Sequence, residues 1–350
     1  MLGGEKNERE NKMMMKRAFA IGGLMFSMTI GLAWIGEASA TCGKVTIAEM
    51  NWASAQAAAN IDRLILKHGY GCDVETVPGD TVPTMTSMTE KGEPDIAPEL
   101  WMNSIKPQIA KAVKEGRIKI AGDVLENPGT NAGESWFIPK YMVDKNPKLA
   151  TLAGVLANPQ LFKDPEDPSK GRFLGCPAGW ACQINNENMF KGRGMAAKGW
   201  NLVDPGSGAA LAGAIAKAVN RGEAVFAYYW APTALLAKYA MHRLDLGKHD
   251  AAEYTKCTAV KDCPKPKPNS FAVSEIKTVV SAAFAKKAND AYNYIKARSF
   301  GPKEFGDILI YMNENKAGGE EAAAYFLKKY PQIWNKWVPA DVAAKIKAAM

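Results

Sequence analysis

The chain has 350 residues, of which 47% are hydrophobic and 23% are charged, and its formal net charge at pH 7 is +8. These proportions are typical of a soluble globular chain with room for two domains, and they exclude an intrinsically disordered tail, a collagen-like repeat and a coiled coil. Charges recur every few residues after the N-terminus and mix both signs, which excludes a polytopic membrane protein and gives no indication of a nucleic-acid groove.

The N-terminal segment has the three parts of a secretory signal. Residues 16–17 are basic, residues 18–35 form an apolar run, and residues 38–40 read Ala-Ser-Ala, an A-x-A cleavage site. We therefore predict a cleaved signal peptide over residues 1–40. An uncleaved membrane anchor is one alternative, and a lipoprotein attached through Cys42 is another.

The first third of the chain alternates strand-like and helix-like segments. Strands are predicted at Lys44 to Met50, Val74 to Val77 and Asp95 to Pro98, and helices at Ala53 to His68 and Ser104 to Glu115. Strands that alternate with helices indicate an α/β layer with a mostly parallel sheet.

The middle of the chain, from about Glu134, is richer in Gly, Pro and Asn. A Gly-interrupted helix is predicted over Leu202 to Val219 and an apolar strand over Ala224 to Trp230, which is compatible with a second, smaller α/β lobe. From Phe271 the pattern becomes helical to the end. One apolar stripe of that region consists of Ile276, Val279, Val280 and Phe284.

Six cysteines permit 15 disulfide connectivities. Local pairing is the simplest interpretation, because two of the couples are separated by only five intervening residues. A metal site is the alternative, but the three histidines do not cluster with the cysteines and no C-x-x-C occurs. We predict neither a metal nor a cofactor. The predicted couples are Cys42 with Cys72, Cys176 with Cys182, and Cys257 with Cys263.

Motifs typical of enzymes are missing from the sequence. There is no G-x-S-x-G, no H-E-x-x-H, no Walker motif and no G-x-G-x-x-G after a strand. No catalytic residue is therefore predicted, and an enzyme is not the favoured interpretation.

Tryptophan recurs directly after the predicted strands. Trp52, Trp101 and Trp230 each follow or close one, and Trp136 and Trp180 lie in the Gly-rich middle. In an α/β sheet the carboxyl ends of the strands are where ligands bind. Several aromatic faces around one cavity attract a cation that is too diffuse to donate hydrogen bonds, and a quaternary ammonium group is such a cation.

Three segments carry a resemblance to a known family: Gly175 to Cys182 (GCPAGWAC), Tyr228 to Pro232 (YYWAP) and Asp95 to Trp101 (DIAPELW). Together they resemble the substrate-binding proteins of glycine betaine/proline betaine/choline ABC importers. The resemblance implies a two-lobed periplasmic-binding-protein fold of type II, an α/β fold with the ligand in the cleft between the lobes. The implied division places lobe 1 at 41–133 and 232–350 and lobe 2 at 134–231.

The resemblance also implies site residues. An aromatic box holds the methylated ammonium group, and two backbone amides after the middle-lobe tryptophan hold the carboxylate end of the ligand. The box falls on Trp101, Trp180 and Trp230 with Trp52 as a further wall, and the amides are those of Ala181 and Cys182.

Two positions depart from the family pattern. Ile105 stands where some betaine binders have His, and Ser54 stands where choline-type members have Asp. Glu99 lies two residues before Trp101 and either faces the cleft, favouring a purely cationic ligand, or points to solvent. Ser54 and Glu99 are therefore further candidates for ligand contact. Trp136, in the Gly-rich middle, is another.

The expected function is capture of a quaternary ammonium solute in the periplasm by a monomer, followed by delivery to the permease of an ABC importer with its ATPase. Carnitine, another betaine or a sulfonium analogue are alternative ligands. A secreted hydrolase or sugar-binding enzyme, with tryptophans that stack on sugar rings, is the alternative from another class; it predicts paired carboxylates near the aromatics.

Overall fold

The structure is a computed structural model that describes residues 42–126 and 133–350. The predicted signal peptide, 1–40, lies outside the described residues. Among the residues that are described, no helix combines the length and the apolar character needed to cross a membrane.

Ten strands occur in the described ranges, and they form two five-stranded sheets. The strands are β1 (Lys44–Met50), β2 (Asp73–Gly79), β3 (Ile96–Trp101), β4 (Ile118–Asp123), β5 (Gly133–Pro139), β6 (Gly171–Leu174), β7 (Trp200–Val203), β8 (Phe226–Ala231), β9 (Met241–Arg243) and β10 (Ile276–Ser281).

The two sheets have similar mixed topologies. The first has the order β2-β1-β3-β10-β4 and the second the order β7-β6-β8-β5-β9. In the first sheet β1 is parallel to both β2 and β3, whereas β10 is antiparallel to both β3 and β4. In the second, β6 is parallel to β7 and β8, and β5 is antiparallel to β8 and β9. The predicted parallel pairing is thus correct for four of the eight strand pairs. The other four are antiparallel, because β10 in the first sheet and β5 in the second run opposite to both of their neighbours.

Helices cover the faces of both sheets. In chain order they are α1 (Ala53–Tyr70), α2 (Thr81–Glu90), α3 (Lys106–Lys114), α4 (Lys140–Lys145), α5 (Leu152–Leu156), α6 (Ala181–Gly192), α7 (Gly208–Asn220), α8 (Ala234–Lys238), α9 (Ala251–Glu253), α10 (Ala282–Lys287), α11 (Asn289–Ala297), α12 (Pro302–Asn315), α13 (Gly319–Lys329), α14 (Pro331–Trp334) and α15 (Ala340–Ala349).

The apolar side chains form two cores. One lies between the first sheet and the helices α1, α12, α13 and α15, and it contains Phe326 and Trp334, both fully buried. The other runs through the second sheet and continues to the opposite face of the first sheet, where it includes Met50 and Trp52. The tryptophans near the end of the chain, Trp334 and Trp337, therefore pack in a core.

The structure pairs the six cysteines in the three predicted couples. Cys42–Cys72 ties the start of β1 to the start of β2. Cys176–Cys182 closes the loop between β6 and α6, and Cys257–Cys263 closes a loop after α9.

Two predictions of local structure were wrong. The stripe of Ile276, Val279 and Val280 belongs to β10, not to a helix, because the strand is buried on both faces and its apolar spacing mimics a helical period. The helix predicted from Leu202 begins only at Gly208, because Leu202 belongs to strand β7. Pro205 and Gly206 lie in the turn between β7 and α7.

The predicted division into lobes stays a prediction. Within the range 232–350 predicted for lobe 1, the short strand β9 pairs with β5 at the edge of the second sheet. The chain thus remains at the second sheet for one further strand after β8.

The close packing of α13 against α1 provides a test of the fold. A Cβ atom added at Gly319 would lie 2.6 Å from the main-chain oxygen of Gln56, whereas one added at Gly306 in α12 meets no atom within 4 Å. We expect Gly319→Ala to lower the free energy of unfolding by about 1–3 kcal/mol, since two helices must separate. Gly306→Ala, the matched control, should raise it by about 0.4–1 kcal/mol. Urea unfolding measures both, and equal effects would contradict this packing.

Candidate ligand-binding site

A cavity between the two sheets is walled by four indole rings. Trp52 follows β1, Trp101 ends β3, Trp230 lies near the end of β8, and Trp180 directly precedes α6. The empty volume is about 400 Å³, counting space open to solvent. All four predicted box tryptophans therefore line one cavity. The lining residues are Trp52, Thr81, Trp101, Asn103, Ser104, Glu134, Trp180, Ala181, Cys182, Tyr228 and Trp230.

Trp180 forms the central wall of the cavity. Its ring centroid lies 5.0 Å from that of Trp52 at an interplanar angle of 71°, and 5.2 Å from that of Trp230 at 76°. Near-perpendicular contacts of this kind are the favoured edge-to-face geometry of aromatic pairs. They also build a box, because adjacent rings meet at corners and leave aromatic surface facing the enclosed space.

The ends of strands and helices position these rings. Trp52 and Trp180 are the N-cap residues of α1 and α6, so each ring is set by a strand or loop on one side and a helix on the other. The Cys176–Cys182 disulfide spans the loop that carries Trp180. Ala181 and Cys182, the predicted amide donors, are the first two residues of α6 and line the cavity. The N–H groups of a first helical turn lack intrahelical acceptors and carry partial positive charge.

Glu99 is buried, with 1% of its surface exposed, and lies behind the box. One carboxylate oxygen, Oε1, accepts hydrogen bonds from Nε1 of Trp52 at 2.8 Å and Nε1 of Trp101 at 2.9 Å, and from Oγ of Ser54 at 2.9 Å. Burial raises the pKa of Glu99, while its three donors oppose this rise. Neither Glu99 nor Ser54 is among the lining residues, so neither of the two orientations expected for Glu99 describes its place in the structure.

Glu134 is the carboxyl group that lines the cavity, and the sequence did not single it out as a site residue. Its side chain accepts hydrogen bonds from the Tyr228 hydroxyl at 2.9 Å and the Ser274 hydroxyl at 3.3 Å. Burial raises the pKa of Glu134 to about 7, and the two hydroxyl donors only partly oppose this. The carboxyl group can therefore change its charge near neutral pH.

Further polar side chains of the lining were missed as well. Tyr228 belongs to a motif of the resemblance but was not expected in the site, and Thr81, Asn103 and Ser104 had no local signal. Among the described residues that line the cavity there is no Lys, Arg or His. The lining side chain that can carry a full charge near neutral pH is thus the carboxyl group of Glu134.

Trp136 does not line the cavity. It is fully buried in the core of the second sheet, where its ring centroid lies 4.6 Å from that of Phe173 and 5.7 Å from that of Phe226. Its Nε1 donates to Oδ1 of Asn186 at 2.7 Å. This candidate is therefore placed with the structural aromatics.

Hydrogen bonds join the two sides of the cavity. The Val82 amide at the start of α2 donates to the carbonyl of Gly179 at 3.0 Å, and the Trp180 indole donates to Oδ1 of Asn51. Asn185 in α6 donates to the hydroxyl of Ser104. The loop that carries Trp180 is thus held against the edge of the first sheet, next to the cavity.

Comparison with known proteins shows which family this architecture belongs to. Residues 43–329 match the model of a family described as the substrate binding domain of ABC-type glycine betaine transport systems. The chain belongs to this family. A curated relative of the chain is the trimethylamine N-oxide-binding protein of Pelagibacter ubique (strain HTCC1062), which is 22% identical over 330 residues, or 91% of this chain and 98% of the relative.

Two solved structures show the same two-lobed fold. The glycine/betaine/L-proline-binding protein of Borrelia burgdorferi superposes with a TM-score of 0.68 at 17% identity, covering 87% of this chain and 99% of its own. An ABC-transporter choline binding protein in complex with choline superposes with a TM-score of 0.66 at 19% identity, covering 88% and 98%. The α/β periplasmic-binding-protein fold predicted from the sequence is confirmed.

Proposed function

We propose that this protein captures a small solute with a trimethylated ammonium group in the indole box and delivers it to the permease of an ABC importer, without catalysing a reaction. The observation that carries the proposal is the convergence of four indoles from both sides of the cleft on one cavity. Membership of the glycine betaine transport family supports the same class of solute.

The chemistry of the walls suits such a ligand. A trimethylated ammonium group spreads its charge over methyl groups and donates no conventional hydrogen bond, so it gains little from polar side chains. Each aromatic face contributes roughly 0.5–2 kcal/mol to holding the cation, with the upper values in sites from which water is removed. Three of the box tryptophans, Trp52, Trp180 and Trp230, are 5–7% exposed, which meets that condition, whereas Trp101 is partly buried.

The anionic end of a betaine fits the start of α6. The backbone amides of Ala181 and Cys182 are fixed before the ligand arrives, both by the helix and by the Cys176–Cys182 bridge. Preorganised donors of this kind lose little entropy on binding. Glycine betaine and proline betaine carry both groups, whereas choline carries only the cation.

Trimethylamine N-oxide is a second candidate ligand. The relative from Pelagibacter ubique is a binding protein for it, and Glu134 offers a matching contact. With a pKa of about 7, this carboxyl group can be protonated at neutral pH and donate its proton in a hydrogen bond to the N-oxide oxygen.

Export and delivery follow from the same proposal. A cleaved signal peptide over 1–40 would release the mature chain into the periplasm, where three disulfides can form and persist. The partners would be the solute, the membrane permease and its ATPase. We expect a monomer, because the cavity is complete within one chain.

Replacing the box tryptophans tests the proposal. Trp101→Ala, Trp180→Ala and Trp230→Ala should each weaken binding at least tenfold, or about 1.4 kcal/mol, because each removes an aromatic wall. Isothermal titration with glycine betaine, choline and trimethylamine N-oxide measures the affinity. Trp337→Phe, in the core away from the cavity, is the control and should keep the wild-type affinity. Absence of binding for all three solutes in the wild type would refute the proposal.

The charge state of Glu134 predicts how affinity depends on pH. Above pH 7 the carboxylate attracts a cation, so choline affinity should rise by up to about tenfold between pH 6 and pH 8. The affinity for trimethylamine N-oxide should fall over the same range, because the ionised group repels the ligand oxygen and no longer donates to it. Glu134→Gln should abolish both trends. A parallel trend for choline and trimethylamine N-oxide would contradict this assignment.

Gly208 provides a test of cavity closure. A Cβ atom added there would lie 2.9 Å from the Trp180 ring and 3.2 Å from the main-chain oxygen of Asn51, on the opposite side of the cavity. We expect Gly208→Ala to weaken ligand binding about tenfold or more by keeping the two sides apart. Gly213→Ala in the same helix meets no atom within 4 Å and should leave affinity unchanged. Equal affinities of the two variants would show that closure tolerates the extra methyl group.

A further inference from the structure

The carboxylate of Glu99 connects two walls of the box. Its Oε1 accepts three hydrogen bonds, from the indoles of Trp52 and Trp101 and from the hydroxyl of Ser54, at 2.8–2.9 Å. Both indoles belong to the cavity wall, but Glu99 itself does not. The N–H edges of these two rings are therefore directed at the carboxylate behind the wall and away from the ligand.

This orientation matters for a cationic ligand. The N–H edge is the positive end of an indole, and the ring face is its negative region. With both N–H groups engaged by Glu99, Trp52 and Trp101 direct no N–H donor into the cavity. A hydrogen bond from each N–H to an anion also shifts electron density toward the ring, since chains of hydrogen bonds polarise one another.

Burial raises the pKa of Glu99, and its three donors and the nearby Arg298 guanidinium oppose that rise by stabilising the charged form. Three donors on Oε1 match a carboxylate, because hydrogen bonds to an ionised acceptor are the stronger ones.

A buried cation lies close enough to Glu99 to act on its charge. Arg298 is fully buried, its Nε lies 3.0 Å from Oδ1 of Asp62, and its Nη2 donates to the carbonyl of Pro98, the neighbour of Glu99. Asp62 and Glu99 together carry two negative charges against one guanidinium. The group behind the box is therefore negative by one charge when both acids are ionised.

We propose that Glu99 is a positioning residue that fixes the indoles of Trp52 and Trp101 and, through its negative charge, strengthens their attraction for a methylated cation. The inference rests on the proposed function, because it assigns a task to a residue behind the same cavity. The same proposal assigns a role to Ser54, whose hydroxyl is the third donor to the carboxylate and helps to hold it beside the two indoles.

Glu99→Gln and Glu99→Leu separate charge from shape. Gln keeps the size and one acceptor oxygen but removes the charge, and Leu removes both. We expect the dissociation constant for choline to rise about tenfold in Glu99→Gln and further in Glu99→Leu. Glu75→Gln removes a charge from the exposed end of an ion pair on β2 and is the matched control, which should bind choline like the wild type. Isothermal titration measures all four proteins.

Indole N–H resonances supply a readout that a purely structural role would not move. In protein labelled with ¹⁵N-tryptophan, the signals of Trp52 and Trp101, assigned through Trp52→Phe and Trp101→Phe, should shift upfield in Glu99→Gln without ligand, because a neutral acceptor replaces a charged one. The signals of Trp200 and Trp334, which donate to backbone carbonyls elsewhere, should stay in place.

The outcomes are distinct from those of the proposed function. Choline affinity within twofold of wild type in Glu99→Gln, or unshifted Trp52 and Trp101 signals, would overturn the assignment of Glu99. If Glu99→Leu fails to fold, the Gln variant still decides the question. Shifted signals in a protein that binds no methylated ammonium compound would instead overturn the proposed function while leaving the hydrogen bonds to Glu99 established.

Discussion

The contact of Trp180 with Trp52 is the interaction on which the cavity depends. These rings come from opposite sides of the cleft, and their edge-to-face packing at 5.0 Å encloses the space that a ligand would fill. The disulfide of its loop and the start of α6 fix the backbone of Trp180. The ring fits against Gly208 because that residue has no side chain. A displacement of that one indole would open a corner of the box and admit water, which weakens the attraction between aromatic faces and a cation.

Two buried carboxyl groups lie at different distances from the cavity. Glu134 lies in the wall, where its pKa of about 7 makes its charge responsive to the ligand and to pH. Glu99 lies behind the wall, where three donors hold it and where, in our proposal, it acts through the rings of Trp52 and Trp101. The cavity thus combines one carboxyl group behind its wall with a second, titratable carboxyl group in the wall itself.

Three of the four cavity tryptophans, Trp52, Trp101 and Trp230, could be predicted because they follow or close predicted strands, whose carboxyl ends gather at one edge of such a sheet. Trp180 follows no predicted strand, and only the family resemblance pointed to it. The place of Glu99 could have been inferred as well, since residues two apart in a strand share a face and Trp101 is two residues on. Glu134 could not, because a single acid at the start of a strand has no local signature, and only the pairing of β5 with β8 brings it beside Tyr228. The sequence predicts a helix where β10 lies, because burial on both faces erases the alternation that normally reveals a strand.

The position of β10 has a consequence for the order of assembly. This strand sits between β3 and β4, yet it follows both of them, and the whole of the second sheet, in the sequence. A chain interrupted anywhere before Ile276 therefore has no strand to join β3 to β4. The first sheet, which begins nearest the N-terminus, is completed only by a strand that the chain reaches after it has formed every strand of the second sheet.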